Sequence, residues 1–275
     1  MPTLIYNDHK INYYKRGKGK ALVLLHGFCE DSSMWDEFIP AFSKNKIIRI
    51  DLPGFGKSAP IENVSIEYMA DAVKAVLDEL KIKSCILIGH SMGGYVSLVF
   101  AKKYSSLLNG LGMFHSHPFA DTEEKKKNRT KSIKFLERNG HVLFVKQLVP
   151  KLFTKSFKSS NGFLIDQLIH RASKYTTQGF IAGTNAMINR KDESEVLKNI
   201  HCPVLFIIGK KDELVPLEYS LEQTALPQIA AIHILEDVGH MGMFEAKKET
   251  RKQIKKFVEL CTQHQKQNKK SAITA

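Results

Sequence analysis

The chain of 275 residues is short of several things. It has four cysteines and one tryptophan, and 28 acidic residues against 41 lysines and arginines, a formal net charge of +13. Cys29, Cys85, Cys202 and Cys261 show no CxxC or metal-ligand spacing, so nothing points to a metal, and reduced thiols are the expectation. No apolar stretch follows the opening MPTLIYNDHK; no secretory signal is read there, and the cytoplasm is the expected compartment. The longest apolar runs, Ala21 to Leu25 and Val204 to Ile208, are too short to cross a bilayer and read as buried strands. The basic excess sits in Lys125-Lys126-Lys127, in Lys247 to Lys270 and in scattered lysines. Lysine outnumbers arginine, aromatics are not interleaved and no nucleic-acid motif occurs. A solvated basic surface is therefore expected, without nucleic acid or membrane insertion, although such charge can still steer anionic substrates.

What is present is the material of a folded α/β protein: 43% hydrophobic and 25% charged residues, enough for one large domain or a domain carrying an insertion. Its organising stretch runs from Ile86 to Ala101, ILIGHSMGGYVSLVFA. An apolar strand enters a Gly-x-Ser-x-Gly turn and leaves as a helix, the context that a nucleophile elbow requires. Ser91 would sit there on strained backbone, and side chains at positions 89 or 93 would collide with the flanking strand and helix.

The remaining elements follow in order. Leu4 to Tyr6 and Ile11 to Tyr14 predict an opening hairpin around Asn7-Asp8, and Ala21 to Leu25 a buried parallel strand. Ser32-Ser33 would cap a helix through Trp35, Phe38, Ile39 and Phe42, with Ile47 to Ile50 the next strand. The apolar spacing of Met69, Ala70, Val73, Val76, Leu77 and Leu80 predicts a helix over 66–80. Leu107 to Phe114 reads as a strand ending in His115-Ser116-His117-Pro118. From 119 to 190 the chain becomes charged and helical, without buried-strand runs. The sheet resumes at Val204 to Gly209 and ends at Ala230 to Leu235, before a closing helix over 248–261 and a polar tail expected to fray.

Three motifs together, His26-Gly27-Phe28, Asp51-Leu52-Pro53-Gly54-Phe55-Gly56 and Gly89 to Gly94, closely resemble the α/β-hydrolase superfamily, in particular its esterase, lactonase and cofactor-free haloperoxidase-like members. The resemblance implies a mostly parallel eight-stranded sheet flanked by helices. Residues 1–118 and 191–275 would form the core, and 119–190 an inserted all-helical cap over the active site. It implies Ser91 as nucleophile, Asp212 as triad acid and His240 as base, in the chain order of that fold. The backbone N–H groups of Phe28 and Met92 would form the oxyanion hole, and no cofactor is implied. A serine at 91 departs from the superfamily's haloalkane dehalogenases and epoxide hydrolases, which use an aspartate nucleophile.

Other candidates receive plainer roles. Asp51 is expected to hold its own loop, His26 to bond its neighbours, and His90 to pack beneath the nucleophile. Glu213 should point away from the triad. His115 and His117 lack accompanying carboxylates or cysteines for a metal site, so pocket lining is the better reading. Cys29, His115 and Met241 are the residues expected in the substrate pocket, Cys29 as wall rather than second nucleophile. His9, His141, His170, His201, His233 and His264 carry no motif. The expected activity is hydrolysis of a small carboxylic ester or lactone. Carbon–carbon bond hydrolysis and perhydrolysis are the enzymatic alternatives, and a non-catalytic ligand-binding member is disfavoured by the complete triad. A homodimer is left open.

Overall fold

The computed structural model describes residues 2–274. Strands β1 (Thr3–Tyr6) and β2 (His9–Arg16) form the opening hairpin; β3 (Ala21–Leu25) and β4 (Lys46–Ile50) follow. Next come helix α1 (Ile66–Glu79), strand β5 (Cys85–His90), helix α2 (Met92–Lys103) and strand β6 (Leu108–Phe114). Strands β7 (Val204–Gly209) and β8 (Ala230–Leu235) complete one eight-stranded sheet in the order β1-β2-β4-β3-β5-β6-β7-β8. The hairpin and the β2–β4 pair are antiparallel, and the other pairs are parallel.

Burial explains the arrangement. Every residue of β3, β5 and β7 is buried, because helices cover both faces of the central parallel strands and each side chain meets apolar material. Edge strand β8 alternates exposed and half-buried positions instead. Helix α1 turns Met69, Ala70, Val73, Val76 and Leu77 inward, and the Ser65 hydroxyl caps it by accepting from the Tyr68 N–H.

Local chemistry moved two expected boundaries. The segment after β3 is a 3-10 helix over Ser32–Phe42, and its N-cap is Asp31, whose carboxylate accepts from the Ser33 N–H. An aspartate displaces the serine pair because its charged oxygen also complements the helix terminus. Pro40, lacking an N–H, sits inside that segment, where a regular α-helix is disfavoured. The closing helix α10 spans Lys247–Thr274 and so runs on through the polar tail expected to fray; lysine and glutamine are good helix formers.

Between β6 and β7 lie the helices of the insertion, α3 (Glu123–Leu148, kinked at Gly140), α4 (Lys155–Ser160), α5 (Gly162–Ala172) and α6 (Thr177–Asn189), and after them the short α7 (Ser194–Lys198). Gly140 takes φ 73°, a left-handed conformation suited to glycine, and there the charged first half of α3 turns into its apolar second half. Helices α8 (Leu217–Glu222) and α9 (Gly242–Glu245) flank β8. Among the described residues no helix is long and apolar enough to cross a membrane.

Candidate active site

The parallel strands deliver their C-terminal ends to one edge of the sheet, where ligand crevices form in α/β folds. Ser91 stands between β5 and α2 with φ 49° and ψ −115°, a strained conformation for a residue bearing a side chain. The glycines around it make that turn possible. A Cβ on Gly89 would lie 2.1 Å from the Gly93 carbonyl oxygen, and one on Gly93 would lie 2.6 Å from that of His26. Strand β5 and helix α2 therefore touch backbone to backbone, and the turn cannot relax.

His240 follows β8 and is almost completely buried. Its Nδ1–H donates to Asp212 Oδ2 at 2.7 Å. The other Asp212 oxygen accepts from the N–H groups of Leu214 and Val215 at 2.8 and 3.0 Å. Burial alone would raise the Asp212 carboxyl, but the adjacent His240 and the hydrogen bonds to it hold it well below the ordinary carboxylate range. With Nδ1–H committed to the carboxylate, the Nε2 lone pair is available as a proton acceptor. Ser91 and His240 line the same cavity of about 310 Å³. Ser91 Oγ has no hydrogen-bond partner among the described residues; such bonds often form only once a substrate is bound.

The oxyanion candidates occupy suitable backbone. Met92 opens α2, where an N–H has no intrahelical acceptor and the helix dipole favours negative charge. The Phe28 ring lies on the cavity wall and packs edge-on against Phe55, Phe144 and Phe180, joining the core to the insertion.

The insertion supplies much of the cavity. Lys125, Asn128, Arg129 and Ser132 share one face of α3, Phe144 and Leu148 follow beyond the kink, and Thr184 and Met187 come from α6. Lys125 is thus part of the cavity wall rather than purely solvated surface, and it also donates to the Leu214 carbonyl. Arg129 and Arg190 both bind the buried Asp121. Glu213, expected to point away, is exposed at the cavity rim.

The three expected pocket residues do not line this cavity. Cys29 and Met241 border a much smaller neighbouring one with Glu30, Met34, Leu168 and Tyr175. The Cys29 thiol is fully buried beside the Glu30 carboxylate, and burial first, then that charge, push its pKa well above the usual thiol range, so it stays a protonated wall residue. His115 sits beneath the site with φ 46°. Its Nδ1 accepts from the Gly209 N–H at 3.2 Å and so has no proton for Asp212 Oδ2, 3.5 Å away. Burial pushes it down to about 4; it is a neutral packing residue. His117 stacks on Phe119, away from His115, and burial pushes it down to about 2.

The structural roles given to Asp51 and His26 hold. Asp51 accepts from Asn12, Ser32 and Lys57, and His26 receives the Leu52 N–H on Nε2 while Nδ1–H donates to the Gly27 carbonyl. Two contributors escaped the sequence reading. Glu30 is buried with one oxygen unpartnered, beside the cavity. Glu245 receives the Gly239 N–H and both the N–H and hydroxyl of Thr154. Neither lies in a motif; their only signal is a carboxylate within four or five residues of a site residue.

With this geometry in view, comparison with known proteins identifies the fold. A family model described as the alpha/beta hydrolase fold matches residues 20–135. An esterase from Thermogutta terrifontis superposes with a TM-score of 0.87 at 26% identity, covering 92% of this chain and 94% of that one. The chain has the α/β-hydrolase fold. The enol-lactonase of Burkholderia xenovorans shares the fold with a TM-score of 0.87 at 21% identity over 94% of this chain and 100% of that chain. A 2-hydroxy-6-oxononadienedioate/2-hydroxy-6-oxononatrienedioate hydrolase from a Pseudomonas species is 26% identical over 240 residues, 82% of this chain and 83% of the relative.

Proposed function

We propose that this protein is an α/β-hydrolase that cleaves small carboxylic esters or lactones through an acyl-enzyme on Ser91. One observation carries the reading: a serine on strained backbone and a histidine oriented by a buried aspartate line one cavity. A neutral serine hydroxyl is a weak nucleophile, so His240 Nε2 takes its proton as Oγ attacks the substrate carbonyl carbon. The negative oxygen of the tetrahedral intermediate would be met by the N–H groups of Phe28 and Met92; one such donor is worth roughly 3–4 kcal/mol in a protease. Collapse breaks the bond to the leaving oxygen, which takes the proton back from His240. Water then attacks the acyl group, giving His240 a proton that returns to Ser91 Oγ. Asp212 keeps the imidazole in its Nδ1–H form and stabilises the imidazolium.

The insertion acts in this reading as a cap selecting the substrate. Its residues supply a mixed wall, apolar at Phe144, Leu148, Leu152 and Met187 and cationic at Lys125 and Arg129. Esters that combine a short hydrocarbon chain with an anionic end suit it. The same triad can cleave a carbon–carbon bond beside a carbonyl, and the dienedioate hydrolase among the relatives favours that second reading.

Steady-state release of p-nitrophenol from acetate and butyrate esters, set beside a vinylogous β-diketone acid, tests the two. Turnover of the esters, abolished in Ser91→Ala, is the expected result. Turnover of the diketone acid alone would replace ester hydrolysis by the carbon–carbon reading, and turnover of neither would remove both.

A further inference from the structure

Beneath the site lies a charge pair that the hydrolytic scheme does not use. Glu30, two residues beyond Phe28, has a side chain only 7% exposed, and that of His90, directly before Ser91, is 1% exposed. Glu30 Oε2 accepts from the Gly27 N–H at 2.6 Å and from His90 Nδ1–H at 2.8 Å. On the other side of the ring, His90 Nε2 lies 3.0 Å from the backbone carbonyl of His240. A carboxylate and a carbonyl are both acceptors, so both ring nitrogens must carry protons, and the ring is an imidazolium. Space is equally constrained: a Cβ on Gly27 would lie 2.6 Å from His90 Nδ1 and 2.7 Å from Glu30 Oε2.

A fully buried ion pair is a costly way to hold a fold together, since apolar packing does so at least as well. This one joins three segments that must meet at the substrate: the loop of Phe28, the residue before Ser91, and the loop of His240. We propose that Glu30 and an imidazolium His90 are positioning residues that fix the Phe28 loop and the His240 backbone relative to Ser91. The proposal rests on the hydrolase reading of Ser91 and His240 above. Other charged or titratable groups facing the pair are Asp212, His240 and His115 around His90, and His26 and the Cys29 thiol beside Glu30. Burial opposes the charged form of His90, but the Glu30 carboxylate and the hydrogen bonds outweigh it and raise the ring above its ordinary value. Deprotonation of His90 at alkaline pH would break the bond to the His240 carbonyl, because Nε2 would then present a lone pair to an oxygen.

Two measurements test this. The first is ring nitrogen NMR of the histidine-labelled Ser91→Ala protein at pH 7.5, assigned with His90→Gln. A doubly protonated His90 is expected, and a neutral one overturns the proposal whatever the enzyme's substrate. The second is the pH profile of kcat/KM for p-nitrophenyl acetate in wild type, Glu30→Gln and His90→Gln. The wild type should lose activity through a one-proton alkaline limb. The variants should show about a 100-fold lower kcat, the scale of a misplaced catalytic geometry, a KM within about 3-fold, and in His90→Gln no such limb. Should His90→Gln fail to fold, Glu30→Gln carries the same prediction for kcat. Unchanged kcat and an unchanged profile in Glu30→Gln would leave the pair with no positioning role. Absence of ester turnover in the wild type would strike the hydrolytic reading, while the NMR result would still decide the charge state.

Discussion

Ser91 and His240 face the same cavity but are held by different regions. Ser91 is fixed by the sheet, α2 and the loop after β6: its N–H donates to the Phe114 carbonyl, its carbonyl accepts from Ser116 Oγ at 2.8 Å, and Gly89 and Gly93 let backbone meet backbone around it. His240 depends on the insertion as well. Its N–H donates to the Leu152 carbonyl at 2.9 Å, and Thr154, in the same turn, is tied to Glu245 next to the His240 loop. Ser91 thus belongs to the floor of the cavity, while His240 is shared between the floor and the insertion, the cap of the proposed reading.

The largest test of this contrast is on the floor. Ser91→Ala should lower kcat toward the residual rate left by binding and oxyanion contacts alone, a loss of about 10⁶-fold on the scale of a protease triad. Its melting temperature should change little, because Oγ has no hydrogen-bond partner among the described residues to lose; ester kinetics and a thermal scan check both. Asp212→Asn should cost about 10⁴-fold by favouring the wrong tautomer of His240, as in a serine protease. Survival of activity would move the acid to Glu236 or Asp237, which in the structure pair at the surface with Lys210 and Lys211.

Smaller effects separate floor from cap. Gly89→Ala forces a methyl group into the α2 backbone and should destabilise by about 4 kcal/mol or more, the range reserved for such clashes; urea unfolding measures it. Glu245→Gln keeps the shape but weakens the tie to Thr154. It should lower kcat about 10-fold and cost roughly 1.5–3 kcal/mol of stability, the worth of a hydrogen bond to a charged group. An equal fall in Ser91 phosphonylation rate and in kcat is expected; no fall in either would free His240 from the cap. Lys125→Ala should raise KM for a monoanionic ester a few-fold and leave a neutral ester unaffected, and added salt should shrink the difference.

Stability should also respond to pH with a definite sign. His90 has a raised value in the folded state, so its contribution is complete below the ordinary histidine range and is lost as pH rises through the raised value. Glu30 is opposite: burial pushes it up, His90 more than offsets this, and its lowered folded value makes its contribution disappear as pH falls. His115, neutral down to about 4, costs stability as pH falls from the unfolded histidine range toward that value. Thermal scans of His90→Gln should lose the alkaline decline and the Glu30 part of the acid one, keeping the part due to His115.

Much of the floor was legible in the sequence because buried parallel strands carry unbroken apolar runs, as 21–25, 85–88 and 204–208 do, and because an elbow demands glycine where backbones touch. The expected triad positions could be placed for the same reason: each follows a strand whose end is visible. The cavity wall was not legible. Cys29 and Met241 stand next in sequence to Phe28 and His240, yet left-handed backbone at Cys29 (φ 68°) and the turn into α9 carry them to a neighbouring cavity. Lys125 looked like one more surface lysine until α3 placed it four residues from Arg129 on a shared face. Glu30 was hidden because a buried carboxylate is recognisable only from its partner, and His90 lies 60 positions away.

The most direct test of the central claim is reaction with a fluorophosphonate, which reports an activated serine without assuming a substrate. Intact mass and peptide mapping should find one adduct, on Ser91, forming in the wild type, slowed strongly in Asp212→Asn and absent in Ser91→Ala. A wild-type protein that stays unlabelled, or an adduct on any other residue, would contradict the assignment of Ser91 and His240 as a working pair.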